Sequence, residues 1–111
     1  MTPRRPGEFE LFVLIAALRL GPEEAYAVSI AEDIQARTGR RVRRSNVYTA
    51  LQRLEDRGLV ATGLGDPRPE RGGKARRLVA VTAEGSEAIR AAAAEMRAML
   101  GGLPELRPGE T

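Results

Sequence analysis

The sequence has no cysteine, no histidine and no tryptophan. Without cysteine there is no disulfide and no thiolate nucleophile. Without histidine as well, imidazole acid–base chemistry and the usual zinc sites are excluded. Aromatic residues make up only 4% of the 111 positions, so Leu, Ile, Val and Ala must fill the core. A chain of this length holds one domain with a modest core, and such a core is often completed by a second subunit. Long apolar runs are lacking too: none reaches the roughly 18 residues of a membrane span. Residues 1–7 are not followed by a signal-type apolar segment with a small-residue cleavage site. Residues 9–18 are apolar, but Glu8, Glu10 and Arg19 bound them and they read as a core helix. These absences predict a cytoplasmic protein with no membrane partner and no cofactor. Catalysis would have to rest on carboxylates, Lys74 or tyrosine. The adjacent pair Glu55-Asp56 cannot converge, because neighbours on a helix do not face each other, so the chain does not read as an enzyme.

What is present is basic charge in one place. The net charge is only +3, but residues 40–77 hold eleven Arg or Lys and four acids, a local +7 that leaves −4 for the remainder. A basic middle between acidic flanks is an electrostatic footprint for a polyanion. Nearly all these cations are arginine, which genomic base composition alone can produce, so the preference over lysine is not read as recognition.

Within that basic region, Val47, Leu51 and Leu54 fall at i, i+4 and i+7, one face of a helix. Ser45, Asn46, Thr49, Gln52, Arg53 and Asp56 form the opposite face, whose hydroxyl, amide and guanidinium groups are those that bond base edges and phosphates. An ordinary solvated helix face would look the same. The distinguishing feature is its setting, with Arg40, Arg41, Arg43 and Arg44 before it and Arg68, Arg71, Lys74, Arg76 and Arg77 after it. Tyr48 is expected toward the buried side, and Gly58 is expected to stop the helix in a left-handed cap.

Before this stretch, the spacing predicts a first helix over residues 8–20, apolar nearly all round and so buried on more than one side. One side would meet the domain's own helices and the other a partner. A second helix over residues 27–37 should present Tyr26, Ile30 and Ile34 to the core and Glu32, Asp33, Gln35 and Arg37 to solvent. Residues 40–43 read as a short extended piece with Val42 inward. After it, residues 59–64 and 76–81 read as two strands pairing around a long Pro/Gly-rich basic tip. Thr82 is expected to cap a last helix to about Leu100. Along it Ile89, Ala92, Met96, Met99 and Leu103 follow spacings of 3, 4, 3 and 4, a short heptad seam. The expected fold is mainly α with a small β-hairpin. Residues 8–81 would form a winged helix-turn-helix, 82–101 a dimerisation helix, and 1–7 and 102–111 flexible tails.

The residues themselves resemble the PadR-like transcriptional regulators. The run from Tyr48 through Val60, YTALQRLEDRGLV, is similar to that family's Y-x-A-L-x-R-L-E-x-x-G-L-[IV] signature. Tyr26 to Ala31 stands where the family has Y-G-Y-x-I. Gly72-Gly73, the run Arg77 to Thr82, and Gly85 resemble its wing and its L-T-x-x-G entry to the last helix. Departures are Ala27 and Val28 for Gly and Tyr, and Leu78-Val79 for a Tyr-Tyr pair. Arg43-Arg44 replace a small capping residue. Capping chemistry would start the third helix at Ser45 or Asn46, whereas the resemblance implies a start near Arg43, and the earlier start is adopted. The lack of tryptophan removes the side chain with which some short relatives hold planar aromatic compounds.

The resemblance implies a dimeric regulator, a repressor, bound to double-stranded DNA with a pseudo-palindromic operator. Arg43, Arg44, Ser45, Asn46, Thr49 and Arg53 would enter the major groove or hold its edge. Arg71, Lys74, Arg76 and Arg77 would hold phosphates or a minor groove through the wing. Phe12, Ile15, Ile89, Ala92, Met96, Met99 and Leu103 would form the dimer interface. A cavity between the first and last helices could accept a small apolar effector, although such faces are more often only interface. The alternative is a winged-helix module that meets an acidic protein partner and no DNA; a salt titration on random duplex separates the two.

Overall fold

The protein is described here from a computed structural model, covering residues 5–64 and 76–106. Its elements are α1 (Glu8–Leu20), α2 (Ala27–Thr38), α3 (Arg44–Asp56), β1 (Val60–Leu64), β2 (Arg77–Val81) and α4 (Ala83–Leu100). A single 3-10 turn, Pro104–Leu106, follows within the expected C-terminal tail. The expected wing tip, with Arg68, Arg71 and Lys74, lies outside the described residues.

Three helices enclose the core. Val13, Leu14, Ala16 and Ala17 of α1 meet Ala27, Ile30, Ala31 and Ile34 of α2 and Val47, Ala50, Leu51 and Leu54 of α3. Ala25, Val60 and Val79 complete it. Six of the fifteen buried hydrophobic residues are alanine. With so few aromatics, density is reached by bringing helix backbones close rather than by filling space with rings. The expected first helix forms over residues 8–20, with one side buried in the domain's own core. Its inner stripe is buried, Leu11 and Ile15 are half-buried, and Leu18 remains 48% exposed.

Two expectations in the second helix change. Tyr26 does not face the core: it is the half-buried N-cap residue, in an extended conformation that aims its ring toward the wing. Asp33 does not point freely outward. It is half-buried and pairs with Arg19 of α1 at 2.9 Å and Arg37 at 3.1 Å, tying two helices together. Residues 40–43 form no strand; Arg43 is extended at the N-cap of α3, and Val42 packs inward as expected. The additional backbone contact to the wing comes instead from the α1–α2 turn, where the Val79 N–H donates to the Ala25 carbonyl at 2.9 Å.

α3 starts at Arg44, with Arg43 as N-cap and no side chain bonding its free N–H groups. Its end is a Schellman motif. The Leu59 N–H donates to the Leu54 carbonyl, the Gly58 N–H donates to the Glu55 carbonyl, and Gly58 takes φ 75°. β1 and β2 pair antiparallel, from Val60 against Val81 to Leu64 against Arg77. Thr82 then caps α4 as expected: its hydroxyl accepts from the Gly85 N–H at 3.0 Å and donates to the Gly58 carbonyl at 2.7 Å.

Candidate nucleic-acid interface

The buried arc of α3 fixes what its outer face can offer. Val47, Ala50, Leu51 and Leu54 are buried, so Ser45 and Thr49 are carried to the opposite side and Asn46 to its edge, and all three are exposed. Arg43 and Arg44 are exposed at the helix start. Thr49 donates its hydroxyl to the Ser45 carbonyl at 3.1 Å, which leaves its methyl as the group available to a neighbour. Asn46 makes no side-chain hydrogen bond among the described residues, so both halves of its amide are available. Gln52 is engaged, donating to Asp56 Oδ1 at 3.0 Å.

Tyr48 is a correction. It was expected on the buried side, yet it is 56% exposed. Helix geometry already places it near the rim, and Ala50 adds to this. Because Ala50 is in the core, the buried arc is centred near Val47, and at about 100° per residue Tyr48 lies about 110° away, on the rim. The phenol therefore joins the outer face beside Ser45 and Thr49, a neighbour the sequence pattern missed.

Arg53 is exposed but not unattached. Its Nη1 lies 3.5 Å from Glu10 Oε2 on α1, and Arg57, one turn further along α3, places Nη1 3.6 Å from Glu10 Oε1. No motif marks Glu10. The available signal is an acid in the first turn of an otherwise apolar helix.

The hairpin base is locked to α3. Thr62 on β1 donates its hydroxyl to Glu55 Oε2 at 2.7 Å, which gives the signature glutamate a structural partner. The two wing arginines that are described differ in setting. Arg77 is exposed at the start of β2. Arg76 is half-buried, its guanidinium carbon 4.6 Å from the centre of the Tyr26 ring and its Nε buried without a hydrogen-bonding partner among the described residues. Arg76 thus closes the wing onto the start of α2 as well as carrying charge. The remaining expected wing contacts, Arg71 and Lys74, fall outside the described residues.

The residues expected at a subunit interface divide in two. Phe12 packs against the domain's own core beneath the Arg40 guanidinium, 5.3 Å from its ring centre, and Ile89 also packs on that core. Ile15 and Ala92 are half-buried. Met96, Met99 and Leu103, with Leu100 beside them, are exposed by 61%, 76%, 44% and 41%. Arg5 pairs with Glu95 on the same helix. Among the described residues, no helix is long and apolar enough to cross a membrane.

Comparison with known proteins agrees with this architecture. The family model of the transcriptional regulator PadR-like family matches residues 14–91. No curated protein matches the chain. Among solved structures, a PadR family transcriptional regulator from Eggerthella lenta DSM 2243 is 26% identical, aligns over 88% of this chain and 81% of its own, and gives a TM-score of 0.65. A PadR-like transcription factor from Bacteroides fragilis shares the fold at 20% identity and a TM-score of 0.69, over 85% of this chain and 84% of its own. A PadR family regulator from Clostridium difficile R20291 shares it at 22% identity and a TM-score of 0.63, over 80% and 88%. The matched segment runs from α1 through the hairpin into α4, so the chain belongs to the PadR-like family, whose members are transcriptional regulators and not enzymes.

Proposed function

We propose that the protein is a homodimeric repressor that reads a pseudo-palindromic operator in double-stranded DNA, with α3 in the major groove and the wing on the backbone or in the adjacent minor groove. The observation that carries this reading is the outer face of α3. Asn46 and Thr49 stand exposed outside the arc of four buried residues, between Arg43 and Arg44 at the helix start and Arg53 near its end. Asn pairs with adenine through two groups, and a Thr methyl fits against a thymine methyl. Arg43, Arg44 and Arg53 sit where phosphates flank the groove. Arg77, and outside the described residues Arg71 and Lys74, extend the positive surface along the wing, while Arg76 sets the wing's position through Tyr26.

The dimer is proposed from the unpartnered half of α4. Met96, Met99 and Leu100 fall at i, i+3 and i+4 in its last turns, Leu103 follows beyond the Gly101-Gly102 helix end, and all four are exposed in the single chain. Leu18, with the half-buried Leu11 and Ile15, gives α1 a second apolar stripe at the same kind of spacing. Packing the last helix against α1 and α4 of a second copy covers both. Residues 8–81 then form the DNA-binding unit and 82–101 the dimerisation helix, and any small apolar effector would enter between α1 and α4. Two copies of α3 about 34 Å apart meet successive major grooves on one side of a duplex.

Selection of bound sites from genomic DNA tests the whole reading. The expected product is a pseudo-palindrome whose half-site centres lie about 10 base pairs apart or a multiple of that. Selection of single half-sites would remove the dimer, and selection of nothing, with no salt-sensitive binding to random duplex, would remove the DNA.

A further inference from the structure

Glu10 is the first-turn acid of α1 that faces inward. Its side chain is only 12% exposed, and it points at two guanidinium groups of α3. Oε2 lies 3.5 Å from Arg53 Nη1, and Oε1 lies 3.6 Å from Arg57 Nη1. Oε1 is buried and receives no hydrogen bond among the described residues. A carboxylate this far from water is tolerated when cations stand beside it, and removing one partner leaves the others poorly compensated. The inner cation is Arg57, with 31% of its side chain exposed, and the outer one is Arg53, with 64%.

This arrangement bears on how α3 meets DNA. At about 100° per residue, Arg53 leaves the helix in nearly the same direction as Asn46, two turns earlier. Its backbone position would therefore suit a base-reading role. Its guanidinium, however, is drawn sideways onto α1, where the Glu10 charge partly offsets it. The long reach of arginine makes such a tether effective: the donors of its fork are fixed relative to one another, so engaging one edge orients the other.

We propose that Glu10 is a positioning residue for DNA recognition. It holds the Arg53 guanidinium at the α1 side of the reading face, as a backbone-directed cation of reduced effective charge, and leaves base discrimination to Asn46 and Thr49. The proposal rests on the reading that α3 enters the major groove. Without the carboxylate, Arg53 would swing free with its full charge and engage phosphates of any sequence. Random DNA would gain more than the operator, so the ratio between them would fall.

The test uses the full chain with Glu10→Gln, which keeps the side-chain shape and removes the charge. Binding to the selected operator and to a random duplex is titrated over a range of salt. Random-duplex affinity is expected to rise several-fold and the operator's by less. The slope of log K against log salt should steepen by a fraction of the roughly 0.9 that one whole phosphate contact adds, as Arg53 regains its full charge. In an Arg53→Ala background the same substitution should change the slope far less. Equal effects in the two backgrounds, or an unchanged slope, would overturn the proposal and leave Glu10 a packing residue. Should Glu10→Gln fail to fold, Glu10→Asp keeps the charge and withdraws it by one methylene. It should shift the slope and the ratio in the same direction, and wild-type values for both would again overturn the proposal. Failure of the underlying reading looks different: the unsubstituted protein itself would then show no salt-sensitive DNA binding, and both would fall.

Discussion

Replacing Gly85 with alanine should destabilise the protein, although helix propensity argues the opposite. Gly85 lies in the first turn of α4 and is the one buried residue of that helix. An ideal Cβ built there falls far inside van der Waals contact with the Leu59 carbonyl oxygen and 2.8 Å from Val81 Cγ1. The valine can rotate, but the carbonyl cannot easily yield. It already accepts the Thr82 N–H at 3.1 Å, and its residue closes the α3 Schellman motif. Overpacking at sites that must shift backbone costs about 1–3 kcal/mol, and this one should sit near 3. Against it, alanine in a helix gains roughly 0.5–1 kcal/mol over glycine. The net is a loss of about 2 kcal/mol, or a Tm lower by roughly 8–16 °C for a domain of this size. Thermal denaturation followed by circular dichroism checks it, at fixed protein concentration because assembly would shift the midpoint. Gly63→Ala on β1, where a Cβ meets nothing within 4 Å, is the control and should stay within about 0.5 kcal/mol. If Gly85→Ala melts at or above the parent temperature, propensity has won and the close approach of α4 to the hairpin base is not a constraint.

Met96 is 61% exposed in the single chain, so Met96→Glu should leave the domain folded yet bury a charge in the proposed interface and shift the protein to monomer. A mutant still fully dimeric by sedimentation at micromolar concentration would refute the interface. The two described wing arginines should separate. Arg77→Ala should flatten the log K against log salt slope by about 0.9 on operator and random duplex alike. Arg76→Ala should do so by less and also lower Tm, because its stack on Tyr26 is lost; equal slope changes with no thermal effect would contradict this. Asn46→Ala should cost on the order of 1–3 kcal/mol on the operator and relax preference at one base pair per half-site, whereas uniform weakening across single-base variants would make Asn46 a backbone contact.

The elements of this fold could be read from the sequence wherever periodicity and a stop residue agreed. The buried Val47, Leu51 and Leu54 of α3, its glycine stop, the Thr82 cap and the pairing of the hairpin all follow from residue spacing and local chemistry. The start of α3 did not. Capping chemistry favours Ser45 or Asn46, and only the resemblance pointed to Arg43, which caps without any side-chain bond. Tyr48 is misplaced because an aromatic ring suggests burial, whereas its helix position lies about 90° from the centre of Val47, Leu51 and Leu54, and the small Ala50 draws the buried arc further away. Gly85, Glu10 and the Ala25–Val79 bond depend on approaches between segments far apart in the chain, which no local pattern encodes. Within the candidate site, Asn46, Thr49 and the flanking arginines were legible as chemistry. Which of those arginines are already engaged inside the protein was not.

For the proposed dimer, the joint between the hairpin and α4 would determine how strictly operator spacing reports the assembly. Thr82 is held three ways: its N–H donates to the Leu59 carbonyl, its hydroxyl donates to the Gly58 carbonyl, and that same hydroxyl accepts the Gly85 N–H. Two of these bonds end on residues that also form the C-terminal cap of α3. The last turn of the proposed reading helix and the first turn of the proposed dimerisation helix are therefore connected through a few hydrogen bonds rather than through a flexible linker. Gly85 removes the side chain that would otherwise wedge them apart. Glu55 adds the wing to the same unit through Thr62. In the proposed dimer the separation of the two α3 helices would then be set by how two copies of α4 and α1 pack, with little slack at the joint. Changes at the seam formed by Met96, Met99 and Leu103 should therefore be felt at the DNA as altered half-site spacing or orientation. A ligand entering between α1 and α4 would act through the same connection, by moving one α3 against the other rather than by touching either.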